Sequence, residues 1–175
     1  MSFVMFFMMG VIALIIIVFY RNSLLDQLVV GEKLVQVLRN ASWFQNHWLG
    51  GMFLFFTNVL LFAFTAFCLY IILEYVAIPF LHLIVMFLAT VASILVWTII
   101  HHAWHGARAD RLKMGFIGSS FYAFLLFFFL YKFITLKPAF AGDDTFMTAV
   151  GLIFGMIVAT VAFMTCFAFT ALARK

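Results

Sequence analysis

The sequence predicts an all-α integral membrane protein. The expected fold is a bundle of five transmembrane helices with one amphipathic cytoplasmic interfacial helix, N-terminus out and C-terminus in. Three observations carry this reading. Of the 175 residues, 68% are hydrophobic and 9% are charged, with a mean hydropathy of +1.24; a soluble domain is about 45–50% apolar and about 25% charged. Five apolar runs approach or exceed the roughly 20 residues a helix needs to cross a bilayer. The basic residues alternate sharply between one set of loops and the other, as the positive-inside bias requires. This composition excludes a cytosolic enzyme, a secreted module, a disordered tail and a free nucleic-acid-binding domain. Residues 1–175 read as one polytopic membrane domain without repeat or linker.

The first span covers residues 2–20 and stops at Arg21-Asn22. It has no basic leader and no small-residue cleavage site, which argues against a removed signal peptide. Residues 23–40 place Leu24, Leu28, Leu34, Val35, Val37 and Leu38 on one half of a helical wheel. Asp26, Glu32, Lys33, Gln36, Arg39 and Asn40 take most of the other half, the pattern of an interfacial amphipathic helix. The second span, 51–73, meets Glu74, and the third, 80–100, follows Pro79. A charge is costly at mid-bilayer and proline disfavours helix in the residue before it, so this pair marks a hairpin turn. The fourth span covers 115–136 and the fifth 146–172, the latter ending before Arg174-Lys175. Asp144 or Thr145 is placed to N-cap the fifth, and Asp143-Asp144 reads as capping and solvation rather than a cation site.

Eight of the ten Lys and Arg fall on one side: Arg21, Lys33, Arg39, Arg108, Arg111, Lys113, Arg174 and Lys175. Only Lys132 and Lys137 fall on the other. The net charge of +4 therefore reports topology rather than nucleic-acid binding. Trp43, Trp48, Trp97 and Trp104 lie near the basic boundary and are expected to form an aromatic belt. Tyr70, Tyr75 and Tyr131 are the outer counterpart. On this topology the Asn40-Ala41-Ser42 sequon is cytoplasmic and fortuitous. Cys68 and Cys166 fall near opposite ends of their spans and are expected as packed thiols, unpaired.

Gly151, Gly155 and Ala159 put three small residues on one face of the fifth span, a helix-packing signal. Gly115, Gly118, Ser119 and Ser120 form a similar patch on the fourth. Most of the 26 Phe are expected to face lipid or fill between helices. The most unusual stretch is His101-His102-Ala103-Trp104-His105. If the third helix continues through it, His101 and His105 share a face and His102 lies nearby. With His47 on the same side, and Asp110 as a fourth group, these imidazoles form a candidate site for a transition metal or haem b. Glu74, His82 and Lys132 form a second candidate cluster, a polar one at outer depth.

Several enzyme classes are excluded by counting. There is no HExxH, GxSxG or Walker A loop. Membrane desaturases and hydroxylases need several histidine boxes, and this chain has five histidines, three of them in one cluster. His82 and His101 are 19 residues apart on one helix, about 28 Å, so they cannot share a haem as the histidine pairs of five-helix cytochrome b subunits do. No charge or proline sits at mid-span, against a self-sufficient ion-coupled transporter. The leading expectation is a small non-catalytic subunit or accessory protein of a membrane complex. It would lie in a bacterial cytoplasmic membrane, an organelle inner membrane being the alternative, and contact lipid plus other subunits or its own copies. A metal- or haem-binding redox protein and an oligomeric channel or transporter component are the alternatives. A pore could use the modest polar groups Thr57, Asn58, Thr65, Thr90, Ser93, Tyr122 and Thr160.

Overall fold

The computed structural model describes residues 32–76, 80–138 and 145–172. The expected span 2–20, the first part of the amphipathic helix, Pro79, the Asp143-Asp144 pair and the Arg174-Lys175 end lie outside the described residues. Within them the elements are α1 (Glu32–Asn40), α2 (His47–Ile71), α3 (Leu81–Ala103), α4 (Arg108–Ile134) and α5 (Phe146–Phe167). A π-helical turn, Ile72–Val76, continues α2, and another, Ala168–Leu172, continues α5. No strand occurs among the described residues. Among the described residues four helices are long and apolar enough to cross a membrane.

Local chemistry explains where the helices depart from the expected limits. Asn46 caps α2: its side-chain oxygen accepts the Trp48 N–H at 3.0 Å, so the helix starts at His47 rather than at the first continuous apolar residue. α4 reaches back to Arg108 because its polar first two turns are helix-compatible, with Lys113 donating to Asp110 at 3.2 Å. Thr145 does occupy the N-cap position of α5, but its backbone is already helical and its hydroxyl makes no capping bond, contrary to expectation. Phe80 enters α3 with a left-handed backbone, φ 67°, which is unusual for a residue with a Cβ and turns the chain sharply into the helix.

The long helices run up, down, up, down. Residues 50, 51 and 54 of α2 meet 114, 117 and 118 of α4 in the same order, so these two are parallel. α5 is antiparallel to α4: Gly115 abuts Ala171 and Gly155 abuts the Phe129 ring. Small residues set these distances, as they do where hydrocarbon supplies no hydrophobic drive between helices. A Cβ on Gly118 would collide with the Leu54 side chain, and one on Gly51 would lie 2.8 Å from Ile117. Of the small-residue stripe on α5, Gly155 receives Phe129 and Ala159 is buried, while among the described residues nothing lies within 4 Å of a Cβ on Gly151.

The buried core lies at one end of the bundle, the end that carries Arg39, Arg108, Arg111 and Lys113. It is built from Phe44, Leu54, Trp97, Ile100, Trp104 and Met114, with Tyr122, Cys166 and Phe169. Trp97 and Trp104 are 4% and 1% exposed, so two of the four tryptophans expected in a belt are core anchors instead. Trp43 and Trp48 remain exposed, as belt residues would be. From Asn58 on α2, Trp97 on α3, Tyr122 on α4 and Ala159 on α5 toward the opposite end, no described residue is buried.

Asn58 ties the four long helices together. Its amide nitrogen donates to the Gly118 carbonyl at 3.0 Å and lies 3.5 Å from Cys166 Sγ. Its oxygen accepts from Trp97 Nε1 at 2.8 Å and from the Tyr122 hydroxyl at 3.4 Å. The side chain is fully buried and its two donors and two acceptor sites are all used.

Removing this amide strands the Trp97 and Tyr122 donors. Asn58→Leu should cost about 2–3 kcal/mol, because a buried donor left unsatisfied costs about 1–3 kcal/mol. Gly118→Ala should cost about 1–3 kcal/mol through overpacking on Leu54, whereas Gly151→Ala should be close to neutral. Thermal unfolding of the three variants in one detergent checks the order. Equal midpoints for Asn58→Leu and Gly151→Ala would remove Asn58 from its central place.

Candidate functional site

The polar chemistry gathers at the basic end, where α3 stops. Its final carbonyls need partners once the helix ends. The Trp104 N–H returns to the His101 carbonyl at 3.4 Å. The Arg39 guanidinium donates to the His102 carbonyl at 3.3 Å, and the Gln45 amide donates to the Ala103 carbonyl at 3.1 Å. Gln45 also accepts the His105 N–H at 3.0 Å and approaches the Arg39 carbonyl at 3.4 Å. One side chain in the α1–α2 connection thus closes the C-terminus of α3 and holds α1 beside it. α1 lays Val35 and Leu38 against the core and keeps Lys33, Gln36 and Arg39 exposed, so the amphipathic reading holds over Glu32–Asn40. Leu34 and Val37 stay exposed on a second apolar strip.

This termination separates the histidine cluster. The expected shared face of His101 and His105 required helix through residue 105; the helix ends at Ala103 and Trp104 is extended. His101 is buried, and its Nδ1–H donates to the Thr170 carbonyl in the π turn of α5 at 3.3 Å. The His102 ring stands edge-on to it at 5.4 Å, its Nδ1–H donating to the Thr98 carbonyl at 2.9 Å. His105 is exposed, with Nδ1 3.5 Å from the Ala103 carbonyl. His47 pairs with Asp110 at 3.7 Å. Among the described residues no three His, Cys, Asp or Glu side chains come together as a metal-holding group. The set His101, His102, His105 and His47, expected for a transition metal or haem b, is thus not gathered into one group in this arrangement of the described residues. His101 and His102 are each oriented by an Nδ1–H bond to a backbone carbonyl, while His105 and His47 lie in different surroundings.

The second expected cluster sits at the opposite end. Glu74 is exposed in the π turn after α2, and His82 is half-buried in the first turn of α3. Lys132 is exposed in the last turn of α4, its ammonium 5.8 Å above the Phe128 ring. Among the described residues these three form no ion pair with one another. The small hydroxyls expected as pore lining are turned inward on their own helices. Thr57, Thr65, Thr90, Ser93 and Thr160 each donate to the carbonyl four residues earlier at 2.7–2.9 Å.

A groove of about 500 Å³ opens beside the His47–Asp110 pair. It is lined by His47 and Trp48 at the start of α2, Leu112, Lys113, Phe116 and Ile117 on α4, and Phe167 on α5. Its wall is almost wholly apolar and it is open along one side. The sequence brought Asp110 and His47 to one side of the membrane, but nothing in the spacing announced the groove. Gln45 was missed as well, since an amide in a connecting loop carries no pattern of its own.

The two residues separate by experiment. Gln45→Ala should destabilise the chain by about 1 kcal/mol, the usual scale of a lost hydrogen bond or cap. His105→Ala should be neutral within error in the same melt. A larger loss for His105→Ala would show that its ring, not the Gln45 clasp, holds this corner.

No family model matches this chain, and neither does any curated protein or solved structure.

Proposed function

We propose that the chain is a small non-catalytic integral-membrane subunit or accessory protein of a larger membrane complex. The observation that carries this reading is the uneven packing. Sixteen residues of α3 and a comparable length of its neighbours run beyond the last buried side chain, roughly 24 Å of helix. Over that length Phe64, Phe67, Phe87, Phe127 and Met147 are all exposed. Among the described residues, these helix lengths have apolar surface and small-residue positions to offer a partner, and nothing lies within 4 Å of a Cβ on Gly151. The polar groups give no counterweight toward catalysis. Asn58, Gln45, His101 and His102 are engaged in holding helices, and among the described residues Asp110 pairs with His47 and Lys113 at the surface of the basic end.

On this reading the chain has five spans, counting residues 2–20, with the N-terminus outside and the basic end in the cytoplasm of a bacterial cell. The positive-inside distribution supports that orientation.

A photo-crosslinking residue at Phe87 or Phe127 tests the reading in native membranes. The expected result is a stoichiometric adduct with one defined polypeptide, lost on Gly151→Leu while thermal stability of the purified chain is unchanged. A chain that crosslinks only to lipid, runs as a monomer in native mass spectrometry and is active alone overturns the proposal.

A further inference from the structure

We infer that the groove between the start of α2 and the first turns of α4 holds one acyl chain of an anionic phospholipid, with its phosphate on Lys113. This depends on the membrane setting but goes beyond the subunit reading and stands without it. The groove has the two-part chemistry of a lipid. Its apolar lining is Trp48, Leu112, Phe116, Ile117 and Phe167; its polar residues, His47 and Lys113, both lie toward the end of the bundle. An almost wholly apolar wall suits hydrocarbon, and because the groove is open along one side an acyl chain would lie along it with its other face toward the surrounding lipid.

Charge selects the headgroup. The first two turns of α4 carry Arg108, Arg111 and Lys113 against the single acid Asp110. Asp110 accepts one hydrogen bond from Lys113 at 3.2 Å. An ammonium has three donors, so two remain for a phosphate oxygen. The Lys113 side chain is 60% exposed and lies at the boundary where headgroups are found, with Trp48 beside it. A zwitterionic lipid fits the apolar wall equally well but brings its own ammonium into this basic field. The preference is therefore for net negative lipid.

Trp48 reports on its own groove. In a Trp43→Phe background the other two tryptophans, Trp97 and Trp104, are buried away from lipid. The full chain is reconstituted into mixed phosphatidylglycerol and phosphatidylcholine vesicles in which one or the other carries brominated acyl chains. The expected relative affinity, phosphatidylglycerol over phosphatidylcholine, is about fivefold, the scale of one basic side chain at an anionic surface. Lys113→Gln should bring the ratio close to one, and Asp110→Asn should raise it. Lys33→Gln, which removes an exposed cation outside the groove, should leave it unchanged. A ratio near one in the unsubstituted chain overturns the site. So does a ratio that Lys113→Gln leaves intact, or one that Lys33→Gln lowers equally, since diffuse surface charge would then be the cause.

Discussion

The carboxamide of Asn58 is the interaction on which the rest of the bundle depends. A single side chain in α2 donates to α4 and approaches the α5 thiol, and accepts from α3 and α4. In hydrocarbon, apolar side chains gain nothing from leaving water, so packing and interhelical hydrogen bonds decide which helix faces which. An amide with both ends satisfied is selective in a way that Leu or Phe is not. Only one rotation of each helix presents the Gly118 carbonyl, the Trp97 indole and the Tyr122 hydroxyl to it. The glycines at 50, 51, 115 and 118 then permit the backbone separations that this geometry needs.

A second constraint operates one to two turns away, where α3 ends. Its carbonyls are closed by Arg39 and Gln45 rather than by a glycine cap. The helix C-terminus therefore becomes a fastening for α1 and for the connection into α4. His101 belongs to the same arrangement: it is buried because its imidazole bridges α3 to the π turn of α5. The widened turn places the Thr170 carbonyl beside α3, while the Thr170 hydroxyl bonds back to Cys166 at 2.7 Å. The unusual histidines are thus part of how the basic end is closed.

Asn58 bounds the buried half of the bundle and the α3 closure caps it, and this asymmetry shapes the surface the helices present. At the basic end the helices enclose the buried core, and the groove beside His47 is edged with charge. At the other end they present phenylalanine and open glycine to their surroundings. The proposed lipid groove and the proposed subunit surface occupy these different regimes, one selective by charge and the other by shape.

The sequence by itself determined that the chain is helical and suited to a membrane, because hydropathy and run length are additive properties of consecutive residues. It also determined the amphipathic character of Glu32–Asn40, since a helical-wheel pattern is local. Tertiary structure decided the rest. Trp97 and Trp104 carry the same composition as belt residues, and only the rotation of α3 buries them. The histidine spacing implied a shared face, but Trp104 leaves the helix because its indole fills the core beneath Phe44 and Gly50. Asn58 reads in sequence as one polar residue among several mid-span, and its four partners come from Gly118, Trp97, Tyr122 and Cys166, 39 to 108 residues away. Contacts of that separation depend on helix rotation and register, which no local pattern encodes.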